Sequence, residues 1–261
     1  MDLQLQGKHV LITGGSRGIG LACARDFLAE GCRVSLVGRS PGHMEAALAS
    51  LRSRGEAEGV CADLADPAEA LRAIDAAEAR FGPIDVLVNS AGAAKRTPYG
   101  ELQPQAWHDA MQAKFFTYVH VMDPVVKRMG QRGAGVIVNV IGMGGKVATT
   151  THLAGGAANA ALMLATAGLA AAWGPHGVRV NAVNPTLTMT DRLAEGFAVD
   201  ARLRQVTPEE VKRQAEAKLP LGRMATPEEV SSVIVFLASP RASYVSGAIV
   251  SVDGAGSPLV V

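Results

Sequence analysis

The sequence predicts a single α/β domain built on a parallel sheet. Seven short β-branched apolar runs recur along the chain, helical patterns with recognisable caps separate them, and the first run leads into a glycine-rich turn that opens a helix. Alternation of this kind implies right-handed βαβ units. Nearly continuous apolar runs are how strands covered on both faces read.

The expected strands are His9–Ile12, Arg33–Val37, Gly59–Ala62, Ile84–Val88, Val136–Val140, Val178–Val183 and Ala248–Val252. Between them, Ile19–Glu30 reads as a helix stopped by Gly31. Gly42–Arg54 follows Ser40-Pro41, a side-chain cap and a first-turn proline, and Pro67–Arg80 follows Asp66 in the same way. Pro104–Met129 is long and contains Pro124, which predicts a kink there. Thr207-Pro208-Glu209-Glu210 and Thr226-Pro227-Glu228-Glu229 are two further helix starts. No repeat, linker or low-complexity tail divides residues 1–261, so one domain is expected.

Composition excludes several classes. Lys and Arg number 25 against 24 Asp and Glu, a balance that argues against a nucleic-acid partner. At 48% hydrophobic, the chain is too apolar for disorder. Cys23, Cys32 and Cys61 include no Cys-x-x-Cys, which suits reduced thiols in a cytoplasmic protein and no metal site. The start lacks a basic stretch followed by an apolar one, so no targeting segment is expected. Val147–Val178 contains no Asp, Glu, Lys or Arg. Its Ala, Gly and Thr, with His152, Asn159 and Pro175 among them, suit a helix packed on protein better than a membrane span.

The glycine-rich turn is Gly14-Gly15-Ser16-Arg17-Gly18-Ile19-Gly20, spaced G-x-x-x-G-x-G. Glycines let backbone amides approach a phosphate, and the helix N-terminus adds partial positive charge. In dinucleotide sites a carboxylate ending the second strand binds the ribose 2′-hydroxyl. Here that strand ends Val37-Gly38-Arg39, with no carboxylate. Arg39, with Arg17 in the loop, can instead pair with a 2′-phosphate, which predicts NADP(H) over NAD(H).

These segments, together with Asp63-Leu64, Asn89-Ser90-Ala91-Gly92, Asn139, Asn181-Ala182-Val183-Asn184-Pro185, Pro220-Leu221-Gly222-Arg223 and the stretch from Phe236 to Gly256, resemble the short-chain dehydrogenase/reductase family over essentially the whole chain. The resemblance implies a doubly wound Rossmann sheet of seven parallel strands in the order 3-2-1-4-5-6-7. It implies that Asp63 and Leu64 flank the adenine, that Asn89, Ala91 and Gly92 line the cofactor cleft, and that Pro185, Thr186, Leu187 and Thr190 meet the nicotinamide, with Thr190 on the carboxamide. It also implies a homodimer or homotetramer, a small-molecule substrate, and a substrate-covering segment at about 190–220, where Phe197, Val199 and Leu203 suggest an apolar lid.

The family's catalytic residues are a Tyr-x-x-x-Lys pair, a Ser and an Asn. The chain has Tyr99, Tyr118 and Tyr244, and the residues four further on are Gln103, Met122 and Ala248. Counting from Asn139 places Gly142 at the Ser. Counting on, or back from Pro185, places Gly155 at the Tyr and Asn159 at the Lys; counting from Trp107 places Lys114 at the Asn. Two groups can stand in for the missing ones. His152 precedes Gly155 by three residues and has a side-chain type that titrates near neutrality, and Lys114 can restore the lost positive charge. Asn159 can still bond a ribose hydroxyl. Three readings stay open: an NADP(H)-dependent oxidoreductase with a rearranged proton donor acting on activated carbonyls, imines or quinone-like molecules; an NADP(H)-binding protein without turnover, acting as sensor or oligomer partner; and a lyase- or dehalogenase-like use of the fold.

Overall fold

A computed structural model describes residues 1–92 and 94–259, without the side chains at positions 192, 195, 196, 199 and 203. The lid positions Val199 and Leu203 therefore lie outside the described side chains. The strands are β1 (His9–Thr13), β2 (Arg33–Gly38), β3 (Ala57–Cys61), β4 (Val86–Asn89), β5 (Gly135–Val140), β6 (Val178–Pro185) and β7 (Ile249–Val252). They form one parallel sheet in the order β3-β2-β1-β4-β5-β6-β7. The chain winds outward from β1 in both directions, so the C-terminal ends of β1 and β4 meet at the switch point where ligands bind in such sheets.

The helices are α1 (Gly18–Ala29), α2 (Pro41–Leu51), α3 (Pro67–Phe81), α4 (Pro104–Ala110), α5 (Thr117–Arg132), α6 (Leu153–Trp173), α7 (Asp191–Arg204), α8 (Pro208–Glu216) and α9 (Pro227–Ala238). The expected caps form: Ser40, Asp66, Thr207 and Thr226 each accept a backbone N–H with proline following, and Thr226 with Glu229 completes a reciprocal capping box. One core layer packs α1, α2 and α9 on a face of the sheet; another packs α3, α5 and α6 on the opposite face. Among the described residues, α6 belongs to the one helical stretch, Leu153–His176, long and apolar enough to cross a membrane. It packs on β6 and on residues 111–116, as a core helix does.

Pro124 sits inside α5. A π-helical turn at Met111–Phe116 joins α4 to α5, and such bulges concentrate at functional sites. The runs are not uniformly buried: β3 and β7 are the sheet edges, and their side chains are mostly half-exposed.

Candidate active site

The phosphate loop follows β1. Gly14 and Gly18 lie at φ +65° and +57°, left-handed conformations that glycine adopts without steric cost. The Gly14 amide donates to the Val37 carbonyl at 2.8 Å and lays the loop over the end of β2. A Cβ on Gly20 would stand 2.3 Å from the Gly14 oxygen, so the turn closes only around a hydrogen. Arg17 is the N-cap residue of α1, no side chain caps that helix, and no acid occupies its first turn. Ser16 and Ile19 are half-buried, and the Ser16 hydroxyl lies 3.3 Å from where a Gly38 Cβ would stand, so the loop touches the strand end that carries Arg39. Arg17 and Arg39 are exposed, and among the described residues neither makes an ion pair.

Beyond the end of β3 the Leu64 side chain is 4% exposed and packed in the core, while Asp63 is exposed and accepts from the Ala65 amide at 3.1 Å. Asn89 is likewise turned inward. It is fully buried; its Oδ1 accepts from Thr13 Oγ1 at 3.4 Å and its Nδ2 donates to Asn139 Oδ1 at 3.0 Å. Asn139 Nδ2 donates in turn to Thr166 Oγ1 at 2.9 Å. This chain ties β1, β4, β5 and α6 together, and through it the Asn89 side chain braces the floor of the cleft. Ala91 is half-buried; Gly92, at φ +85°, has no room for a Cβ, which would fall 2.2 Å from the Ala113 carbonyl.

The segment after β6 returns to the phosphate loop. Pro185, Thr186 and Leu187 are half-buried. The Met189 amide donates to the Ala225 oxygen at 2.9 Å, and the Ala225 amide donates to the Leu187 oxygen at 3.1 Å. Thr190 caps α7 and places its Cγ2 at 3.2 Å from the position of a Gly18 Cβ. Thr188, which sequence reasoning passed over, is 6% exposed and its hydroxyl has no hydrogen-bond partner among the described residues. A buried hydroxyl left unpaired is costly. An uncapped helix start, two exposed arginines and this hydroxyl fit a phosphorylated nicotinamide dinucleotide. The signal that could have found Thr188 is the run Thr186, Thr188, Thr190, hydroxyls at alternate positions.

The reacting end is a cluster of glycines. Gly142, at φ +122°, directly follows Ile141 at the end of β5, and the Asn159 Nδ2 lies 3.5 Å from where its Cβ would be. The same amide is 3.4 Å from the corresponding point on Gly144. The His152 ring is 2.1 Å (Cε1) and 2.5 Å (Nε2) from the position of a Gly155 Cβ, with the Ala94 methyl at 2.8 Å from that position. His152 therefore occupies the volume in which any side chain at 155 would begin. It stands at the N-cap position of α6 without capping it. Thus the structure brings together His152, Asn159, Gly142 and Gly155.

Lys114 is placed differently. It lies in the π-helical turn, 7% exposed, and donates to Tyr118 Oη at 2.8 Å and to the Val140 carbonyl at 3.0 Å. Tyr118, wholly buried, also donates to Val140. Lys114 thus bonds the backbone that leads to Gly142. Tyr118 was missed in the sequence, where its i,i+4 spacing from Lys114 was the available signal. Among the described residues no group of three or more His, Cys, Asp or Glu could hold a metal.

Residues 14–256 match the family model described as enoyl-(acyl carrier protein) reductase. The D-threitol dehydrogenase of Mycolicibacterium smegmatis is 36% identical over 257 residues, covering 97% of this chain and 94% of that protein. An actinorhodin polyketide ketoreductase structure with NADPH superposes with TM-score 0.91 at 31% identity, over 95% of this chain and 96% of that one. A structure of NAD+-bound xylitol dehydrogenase superposes with TM-score 0.90 at 25% identity, over 95% and 98%. The chain belongs to the short-chain dehydrogenase/reductase family. It is an oxidoreductase of that type, in a fold that its neighbours use with nicotinamide cofactors.

Proposed function

We propose that the protein is an NADP(H)-dependent oxidoreductase in which His152 replaces the usual tyrosine as proton donor. Its substrate is a small carbonyl, imine or quinone-like molecule. The observation that carries this reading is the His152 ring seated over Gly155, beside the Asn159 amide. The geometry favours this over binding without turnover, because the glycines at 142 and 155 leave a titratable ring in the volume of the missing side chain.

Arg39 and Arg17 would hold the 2′-phosphate, the amides of residues 14–20 the pyrophosphate, and Thr188 and Thr190 the nicotinamide end. Asn159 would bond the ribose. When bound, NADPH supplies the hydride that reduces the substrate carbon. His152 Nε2 gives its proton to the substrate oxygen and takes it back in the reverse direction. A positioned acid of this kind contributes about 10²–10⁴-fold. Lys114 acts as a positioning residue, holding Val140 and hence the approach to Gly142.

The exposed face of α6, with Leu164 at 77% exposure beside Ala160, Ala167 and Gly168, supports assembly as a homodimer or homotetramer. The sparse cysteines support a cytoplasmic setting. Calorimetric titration with NADPH and then NADH tests the cofactor reading. Tight NADPH and weak NADH binding are expected, and binding of neither would overturn it.

A further inference from the structure

Two loops frame the mouth of the site. Residues 94–98 run beside residues 141–160: the Ala94 methyl lies against Gly155, and the Thr97 amide donates at 3.0 Å to the carbonyl of Thr151, next to His152. Together the loops carry Lys95, Arg96 and Lys146 and no Asp or Glu, in a chain whose whole formal charge is +1. Lys95 and Arg96 are exposed and Lys146 is half-buried. Among the described residues none of the three makes an ion pair. The first acid beyond the loop, Glu101, is exposed in the turn Tyr99–Glu101. The covering helix α7 is balanced in sequence: Asp191, Glu195 and Asp200 against Arg192, Arg202 and Arg204. The mouth therefore carries charge of one sign that nothing in these segments cancels. A cleft lined by one sign of charge concentrates the opposite ion, and an unpaired arginine offers a planar fork to a carboxylate or phosphate.

We infer that the substrate is an anionic carbonyl compound whose carboxylate or phosphate is held by Lys95 and Arg96 at the mouth while its carbonyl reaches His152. This rests on the oxidoreductase reading above. The carbonyl carbon receives hydride from NADPH and the oxygen receives the proton of His152. The carbon–oxygen double bond becomes an alcohol, NADPH becomes NADP+, and the anionic group is untouched.

The test uses matched pairs differing in one charge: acetoacetate with methyl acetoacetate, and dihydroxyacetone phosphate with dihydroxyacetone. NADPH oxidation is followed for the full-length protein and for the double variant Lys95→Glu/Arg96→Glu. The charged member of one pair should have a kcat/KM at least about tenfold higher, as charge-assisted bonds supply. Which pair responds tells carboxylate from phosphate. The preference should shrink with added salt and disappear in the variant, whose NADPH affinity should stay within about twofold because both side chains lie outside the phosphate loop. Equal or better use of the neutral members, a preference that survives the variant, or no turnover of any charged ketone by a protein that binds NADPH would overturn the inference. Loss of NADPH binding by the unaltered protein would instead overturn the reading on which it rests.

Discussion

Ser35 Oγ stands between two titratable groups, 2.9 Å from His9 Nε2 and 2.8 Å from Glu58 Oε1. His9 Nδ1 lies 2.7 Å from the Gly82 carbonyl, which can only accept, so that nitrogen carries a proton. The Ser35 hydroxyl donates to Glu58 Oε1, while its oxygen faces His9 Nε2. The hydroxyl therefore links the two titratable side chains through one chain of hydrogen bonds.

Burial lowers the His9 pKa, helped by Arg33 and opposed by the Gly82 bond, Asp85 and Glu78. Burial raises that of Glu58 against the pull of Ser35 and Arg80. A lowered histidine favours the folded state above its unfolded pKa near 6.5, and that contribution is lost as pH falls through this range. A raised carboxylate contributes stability at low pH that is lost as pH rises above about 4.5. Glu58→Gln keeps an acceptor for Ser35 without titrating. Its melting temperature relative to the parent should rise as pH increases above about 4.5 and then level off once the parent carboxylate is ionised. A constant difference between the two from pH 4 to pH 8 would refute the raised Glu58 pKa.

Arg39→Asp removes the group assigned to the 2′-phosphate and supplies a carboxylate for a ribose hydroxyl. NADPH affinity should fall by about 10- to 100-fold, the range of charge-assisted bonds. NADH affinity should hold or rise. Calorimetry on both nucleotides checks this, and parallel losses would exclude Arg39 from discrimination.

His152→Ala should lower kcat by about 10²–10⁴-fold while NADPH affinity stays unchanged. The fall in the rate of reduction toward alkaline pH, which a proton donor imposes, should vanish in the variant. Retained kcat would assign the proton to another group.

Gly155→Ala places a methyl 2.1 Å from His152 Cε1. Overpacking of this kind costs about 1–3 kcal/mol. In the His152→Ala background the same substitution should cost less, with the Ala94 methyl at 2.8 Å left to give way. Denaturant unfolding of the two single variants and the double variant gives the coupling, and additive effects would show that the ring does not fill that volume.

Gly92→Ala meets backbone, not a movable ring: the Ala113 carbonyl at 2.2 Å, at a φ of +85°. No second substitution relieves it, so a loss of at least about 2 kcal/mol is expected by unfolding.

The parallel sheet was legible because each strand, cap and stop is a local signal. The phosphate loop was legible for the same reason: Gly14, Gly18 and Gly20 are required by one turn. The glycines at 142 and 155 could be counted from fixed landmarks. What lay hidden were directions and volumes. Asn89 and Leu64 occupy the expected places, but strand pleating turns their side chains inward, where Asn139 and the helix layer satisfy them. A π turn inserts one residue without altering composition, so Lys114 and Tyr118 read as ordinary helix while Pro124 drew the attention. That the His152 ring occupies the space over Gly155 depends on the backbone at the start of α6, which no spacing rule supplies.

The paired amides joining Leu187 and Met189 to Ala225 pinch the chain at both ends of α7 and α8. Residues 190–224 thus leave the body of the protein and come back at almost one point. Such an excursion is an exchangeable cassette. A stretch of foreign sequence spliced between those amides would meet the same anchors, with sheet, phosphate loop and imidazole left in place. Substrate range in a scaffold so constructed can diversify by trading one segment, without renegotiating the fold.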